Sequence, residues 1–183
     1  MPVVYKAGLT DAEINSLEAA VNVALPVAYR NILARMNGFY LTEPDFGQLP
    51  LKSVQDGRVS FDRLFGVIPG EECNDLISFN HEFISELAFV DGVLAIGEDG
   101  GGNPYVIVTE SGREGVYYWD RTHFHDSDSI NKYDIAEQGD SGHLYKVAQG
   151  IDEFYSLILA SLPDEVDSEP GASPLSRTAG GEA

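Results

Sequence analysis

The chain has 183 residues, 43% of them hydrophobic and 10% aromatic, which is enough apolar material for one folded core and too little length for two complete domains. Thirty acidic residues against eleven basic ones give a formal charge of −19, which argues against a nucleic-acid binder, because affinity for phosphate backbones comes from clustered Lys and Arg. The single cysteine, Cys73, excludes an internal disulfide, and no stretch is apolar for the length of a membrane span, so a soluble cytoplasmic protein is expected.

Thr10 and Glu13 have the spacing of a capping box, with Ile14, Leu17 and Val21 following on one helical face. A second helix is expected from Pro26, with Tyr29, Ile32 or Leu33, and Met36 on its apolar stripe and Asn37-Gly38 as its stop. Residues 39–69 read as loops and short strands, Phe39-Tyr40-Leu41 and Val59-Ser60-Phe61 among them. Asn74 or Asp75 is placed to cap a third helix carrying Leu76, Phe79, Phe83 and Leu87 on one side and acids on the other.

Val93–Ile96, Tyr105–Val108 and Val116–Trp119 are three short β-branched or aromatic runs with Gly-rich connections, the pattern of an antiparallel meander. Adjacent strand residues point to opposite faces, so one of Tyr118 and Trp119 is expected in the core and the other partly exposed. After a polar stretch, Leu144–Ala148 reads as a further strand, and Ile151, Phe154, Ile158 and Leu162 mark a last amphipathic helix ended by Pro163. Residues 163–183 are rich in Pro, Gly, Ser and acids and are expected to be a disordered tail after a globular domain over residues 1–162. The tail holds five acids and one base, so −15 of the −19 belongs to the domain.

The glycine-rich stretch Gly97–Asn103 contains no Lys, and its Glu98 and Asp99 would repel phosphate, so it is not a phosphate loop. A strand follows it, which also rules out the dinucleotide fingerprint. Asp126 and Asp128 lack the rest of the EF-hand pattern, since Ile130 and Asn131 stand where an oxygen ligand and a glycine are needed. His123-x-His125 beside Asp120 or Asp126 is a possible transition-metal pair, with surface histidines as the plainer reading. Ser85 replaces the second histidine of a zinc-protease helix after His81-Glu82, there is no Gly-x-Ser-x-Gly elbow, and nothing marks Cys73 as an activated thiol. No catalytic residue, cofactor or metal is therefore assigned. Between Arg63 and Arg113 there is no Lys or Arg, while Glu71, Glu72, Asp75, Glu82, Glu86, Asp91, Glu98, Asp99 and Glu110 are all acidic. Such a run is either a solvated surface or complementary to a basic partner.

Ile14-x-x-Leu17-Glu18, Leu25-Pro26-x-x-Tyr29 and Asn37-Gly38 are followed in order by Val93–Gly97 with Gly102-Asn103, Gly115–Asp120, and Val147-Ala148 leading into Asp152-Glu153-Phe154. In this succession of motifs the chain resembles the SUKH superfamily, which includes the yeast cell-wall regulator of the Smi/Knr type. Phe39 stands where family members often have a second glycine, and residues 122–142 look like an insertion particular to this chain. The resemblance implies a single α+β domain without catalytic activity: a central antiparallel sheet, an N-terminal helix pair, a middle helix and a C-terminal helix. It also implies a bacterial immunity protein that binds and blocks a basic, nuclease-type toxin, or alternatively a regulatory protein-interaction module. On that implication the candidate partner-binding residues are Glu98, Asp99, Asn103, Trp119 and Asp120 near the sheet's turns, with Glu82 and Glu86 on the helix.

Overall fold

A computed structural model describes residues 3–41, 46–68 and 75–162. Cys73, Asn74, Pro163 and the expected tail lie outside the described residues. The chain runs β1 (Val3–Ala7), α1 (Asp11–Val21), α2 (Val27–Arg35), β2 (Met36–Leu41), β3 (Gly47–Pro50), β4 (Arg58–Phe61) and β5 (Arg63–Leu64). It continues through α3 (Leu76–Phe83), a 3-10 turn (Ile84–Leu87), β6 (Val93–Glu98), β7 (Pro104–Val108), β8 (Gly115–Asp120), β9 (His143–Ala148) and α4 (Ile151–Ser161). Seven strands form one antiparallel sheet in the order β1-β2-β5-β6-β7-β8-β9, and β3 and β4 form a separate hairpin. The expected α+β class, the β6-β7-β8 meander and the four expected helices are all present.

Local chemistry starts the first helix. The Glu13 amide donates to Thr10 Oγ1, while the Glu13 carboxylate accepts from the Thr10 amide at 2.7 Å, so two donors without helical partners are satisfied reciprocally. Pro26 is the N-cap of α2, so the helix begins at Val27, one residue after the expected start. The expected stop at Asn37-Gly38 is corrected: α2 ends at Arg35, and Met36, Asn37 and Gly38 open β2. Tertiary contacts override the helix-stop signal here. Asn37 Oδ1 accepts from the Val67 amide and its Nδ2 donates to the Val67 carbonyl, which ties the strand to the segment after β5. Gly38 takes φ 75° where a Cβ would lie 2.7 Å from the Gly66 nitrogen, so glycine serves a close backbone crossing and not a helix cap.

The middle of the sheet is covered on both sides. Phe39, Phe61, Tyr105 and Phe154 form a chain of tilted and edge-on rings joining β2, β4, β7 and α4, and Tyr118 continues it from β8 at 5.6 Å from Tyr105. Trp119, on the opposite face, has the Arg121 guanidinium 5.9 Å from its ring, and that same group lies 4.4 Å over Phe83 of α3. Every residue of β7 and β8 is buried. The expectation that one of Tyr118 and Trp119 is partly exposed therefore does not hold, because helices or the hairpin cover each face. Asn80, facing inward from α3, donates to the Leu76 and Ala95 carbonyls and accepts from the Ala95 amide, all at 2.8 Å. It stands in for a neighbouring strand beyond the short pairing of β5 with β6.

Candidate functional site

The sequence-selected residues converge on one end of the sheet, where β6 ends, β7 begins, β8 ends and β9 begins. The β6–β7 turn is closed by Asp99, whose Oδ1 accepts from the Gly101 and Asn103 amides at 2.7 and 3.0 Å. Its Oδ2 accepts from Asn103 Nδ2 at 2.9 Å and from the Tyr118 hydroxyl at 3.0 Å. Asn103 passes the constraint on, with Oδ1 accepting from both the amide and the hydroxyl of Thr122 at 2.9 Å. Glu98 pairs with Arg63 at 3.2 Å, and its carboxyl is raised from the ordinary value by burial, against the pull of that guanidinium.

Asp120 is completely buried and accepts from the Phe124 amide at 2.8 Å and the His125 amide at 2.9 Å. One carboxylate thus holds the turn that launches the stretch between β8 and β9. Trp119 is also completely buried, its Nε1 donating to the Ser141 carbonyl at 2.5 Å, near the far end of the same stretch. Glu86 receives both the Nε and an Nη of Arg121, at 2.8 and 2.7 Å, a bidentate pair that holds the Arg121 pKa above its ordinary value. Of the seven selected residues, Asn103, Trp119 and Asp120 are buried and offer a partner no surface. Glu98, Asp99 and Glu86 are engaged inside the protein, and Glu82 is exposed on α3.

What these residues support is residues 121–142, which contain the stretch 122–142 read as an insertion. Gln55, in the turn between β3 and β4, holds it from the side: the Gln55 amide donates to Asp128, and Gln55 Oε1 accepts from the Ser129 amide and hydroxyl. Asn131 accepts from the Tyr145 hydroxyl at 2.7 Å. Asp134 accepts from the Lys146 amide at 2.6 Å, and Ile135 exchanges two backbone bonds with Leu144. Those last contacts cover the open edge of β9, which would otherwise invite pairing with another chain.

At the base of the stretch, Glu137 Oε2 lies 3.0 Å from His123 Nε2 and accepts from the Gly142 amide, while Tyr133 stacks on His143 at 4.0 Å. The shared hydrogen bond raises the His123 pKa above its ordinary value and lowers that of Glu137. His125, buried, pairs instead with Asp128 at 2.8 Å, so the two imidazoles of His123-x-His125 go to different partners.

The fastened stretch presents apolar side chains to solvent: Phe124 is 69% exposed, and Ile130 and Tyr133 are each 45% exposed. The same stretch carries the exposed acids Asp126, Asp134 and Asp140, with Lys132 as the only Lys or Arg of residues 122–142. Sequence reasoning missed these residues because neither helical nor strand periodicity marks a structured loop. The available signal was aromatic residues inside an otherwise polar, acidic stretch. Exposed aromatic anchors within a polar rim on a constrained backbone have the anatomy of a protein-binding surface.

Among the described residues, no helix is long and apolar enough to cross a membrane. No curated protein matches the chain. The family model for the SMI1 / KNR4 family (SUKH-1) matches residues 8–157, from the end of β1 to within α4 and including the whole fastened stretch, and the chain belongs to that family.

Proposed function

We propose that the protein is a non-catalytic binding domain that neutralises a basic, nuclease-type toxin by direct contact through residues 121–142. The observation that carries this reading is the exposure of Phe124, Ile130 and Tyr133 on a backbone tied down at both ends and in the middle, among acidic side chains. A surface ordered before binding loses little conformational entropy on docking, so more of the contact energy remains as affinity. A nuclease grips phosphate with basic residues, and an acidic surface carrying apolar anchors occupies that same grip. Family membership supports a binding role of the immunity or regulatory kind. The domain's acid excess speeds encounter through long-range attraction, and the aromatic residues set the lifetime of the complex.

The test is co-expression with the protein encoded beside this chain, alongside purified binding at two salt concentrations. The reading predicts growth rescue, one tight complex, and an association rate that falls steeply as salt rises. Rescue without complex formation, or a complex indifferent to salt, contradicts it. Replacing Asp126 and Asp140 together by Asn is expected to slow association while leaving stability within about 0.5 kcal/mol, as for ordinary surface changes.

A further inference from the structure

At the opposite end of the same strands lies a cavity of about 540 Å³, formed where the β7–β8 hairpin meets the first turns of α2 and α4. Gly115 and Asp120 bound β8, so about 17 Å of strand separates the cavity from the stretch at residues 121–142. Its floor is apolar, made by Ile107, Val116, Ile151 and Ala28. Three exposed carboxylates, Glu114, Asp152 and Glu153, stand on its lining. Glu153 accepts from the Gln149 amide and Glu114 from the Gly112 amide, so each of these two has one carboxylate oxygen bonded within the chain and the other directed elsewhere. Beside the lining, Lys146 donates to the Glu114 carbonyl at 2.9 Å and sits 5.2 Å from the Tyr117 ring centre. It therefore already has partners, and the lining remains net negative.

We propose that this cavity is a second docking site, for a segment of another protein that places an apolar side chain on the floor and an adjacent arginine or lysine against Glu114 and Asp152. The volume is in the range of pockets that enclose small ligands or a few side chains. An apolar floor ringed by carboxylates selects a side chain pair of that composition, because the stem of a basic residue lies on apolar surface while its head meets the acids. Charge argues against the chain's own residues 163–183, which carry five acids and one base. The inference does not depend on residues 121–142 acting as a binding surface.

The experiment titrates the isotope-labelled full chain with acetyl-Leu-Arg-Leu-Arg-amide and, as control, acetyl-Leu-Gln-Leu-Gln-amide, following backbone amides by NMR. The expected result is saturable movement of Thr109, Gly115 and Gly150 with the arginine peptide and at least tenfold weaker binding of the glutamine peptide. Gly150 supplies a blocking variant: its φ of −169° is extended backbone open to any residue, and a Cβ there meets nothing within 4 Å. Gly150→Leu should keep the native spectrum and weaken the arginine peptide at least tenfold, and E114Q with D152N should weaken it at least fivefold. D126N with D140N should leave it unchanged, which separates this site from the loop surface. The proposal is overturned if the cavity amides stay still, if both peptides bind equally, or if Gly150→Leu or the paired charge variant binds as the wild type does. It is also overturned if Arg177→Gln alone moves those amides, which would make the tail the occupant, or if raising the protein concentration tenfold without peptide moves them.

Discussion

Replacing Asp120 by Asn tests whether one buried carboxylate holds the candidate binding surface in place. Asp120 is completely buried and accepts two backbone N–H groups, at 2.8 and 2.9 Å, from consecutive residues of the turn after β8. Hydrogen bonds to a charged acceptor contribute about 1.5–3 kcal/mol each, and an N–H left unpaired in the interior costs about 1–3 kcal/mol. Asparagine keeps one carbonyl oxygen and turns an NH2 toward the second donor, so one bond survives in weaker form and the other becomes a donor–donor opposition. Relief of the charge-burial cost offsets part of the loss. The net expectation is about 2 kcal/mol. With a urea slope of about 2 kcal/mol per molar for a domain of this size, the midpoint should fall by about 1 M. The single tryptophan, Trp119, is the preceding residue and reports the transition by fluorescence. Hydrogen exchange adds the local view: the Phe124 and His125 amides should lose more protection than the Ala95 amide, which is held by Asn80 in the core. A midpoint unchanged within 0.2 M, together with unchanged protection at Phe124 and His125, would refute the reasoning.

Other consequences follow from single side chains. Asn80→Leu removes three buried hydrogen bonds to Leu76 and Ala95 and leaves the Ala95 amide and carbonyl unpaired, so a loss of about 3 kcal/mol in urea unfolding is expected; a loss below about 1 kcal/mol would show that Asn80 does not complete the ladder. The Tyr29 hydroxyl is buried without a hydrogen-bond partner among the described residues, so Tyr29→Phe should be neutral or stabilising by up to about 1 kcal/mol. Tyr118→Phe, which strips Asp99 of one donor, should cost about 1–2 kcal/mol; the opposite order of stability would contradict the hydrogen-bond assignment. The His123–Glu137 pair predicts a pH window. His123 is raised above 6.5, so its contribution is complete below 6.5 and is lost as pH rises through its folded value. Glu137 is lowered below 4.5, so its contribution is complete above 4.5 and is lost as pH falls through its folded value. Protection of the Gly142 amide, corrected for intrinsic exchange, should therefore be greatest between pH 4.5 and 6.5, and a maximum near pH 8 would be inconsistent with the pairing.

The elements whose signals are local were legible in the sequence. The Thr10–Glu13 capping box, the Asp75 cap of α3, the meander runs and the α4 stripe all encode their structure within a few residues. What the sequence concealed depends on partners distant along the chain. β1 is paired through β2, and β5 is only two residues long, so neither has enough pattern to stand out alone. Asn37-Gly38 reads locally as a helix stop but serves a strand crossing with Val67 and Gly66. The same limit explains the site. Glu98, Asp99, Asn103, Trp119 and Asp120 do gather at one end of the sheet, yet most of them face inward as supports. An acidic residue in a turn looks the same in sequence whether it faces solvent or accepts two amides. The exposed aromatic side chains Phe124 and Tyr133 stand on residues 121–142, whose polar composition masked a fastened structure.

The central claim is that Phe124 and Tyr133 anchor a basic partner. Calorimetric titration of the protein encoded beside this chain, against the wild type and the Phe124→Ala/Tyr133→Ala double variant, measures it directly. Truncating two exposed anchors that become buried on binding should weaken affinity by about 100-fold, or about 2.7 kcal/mol, with unfolding midpoints unchanged. Affinity within about twofold of the wild type would place the binding surface elsewhere on the domain and contradict the account.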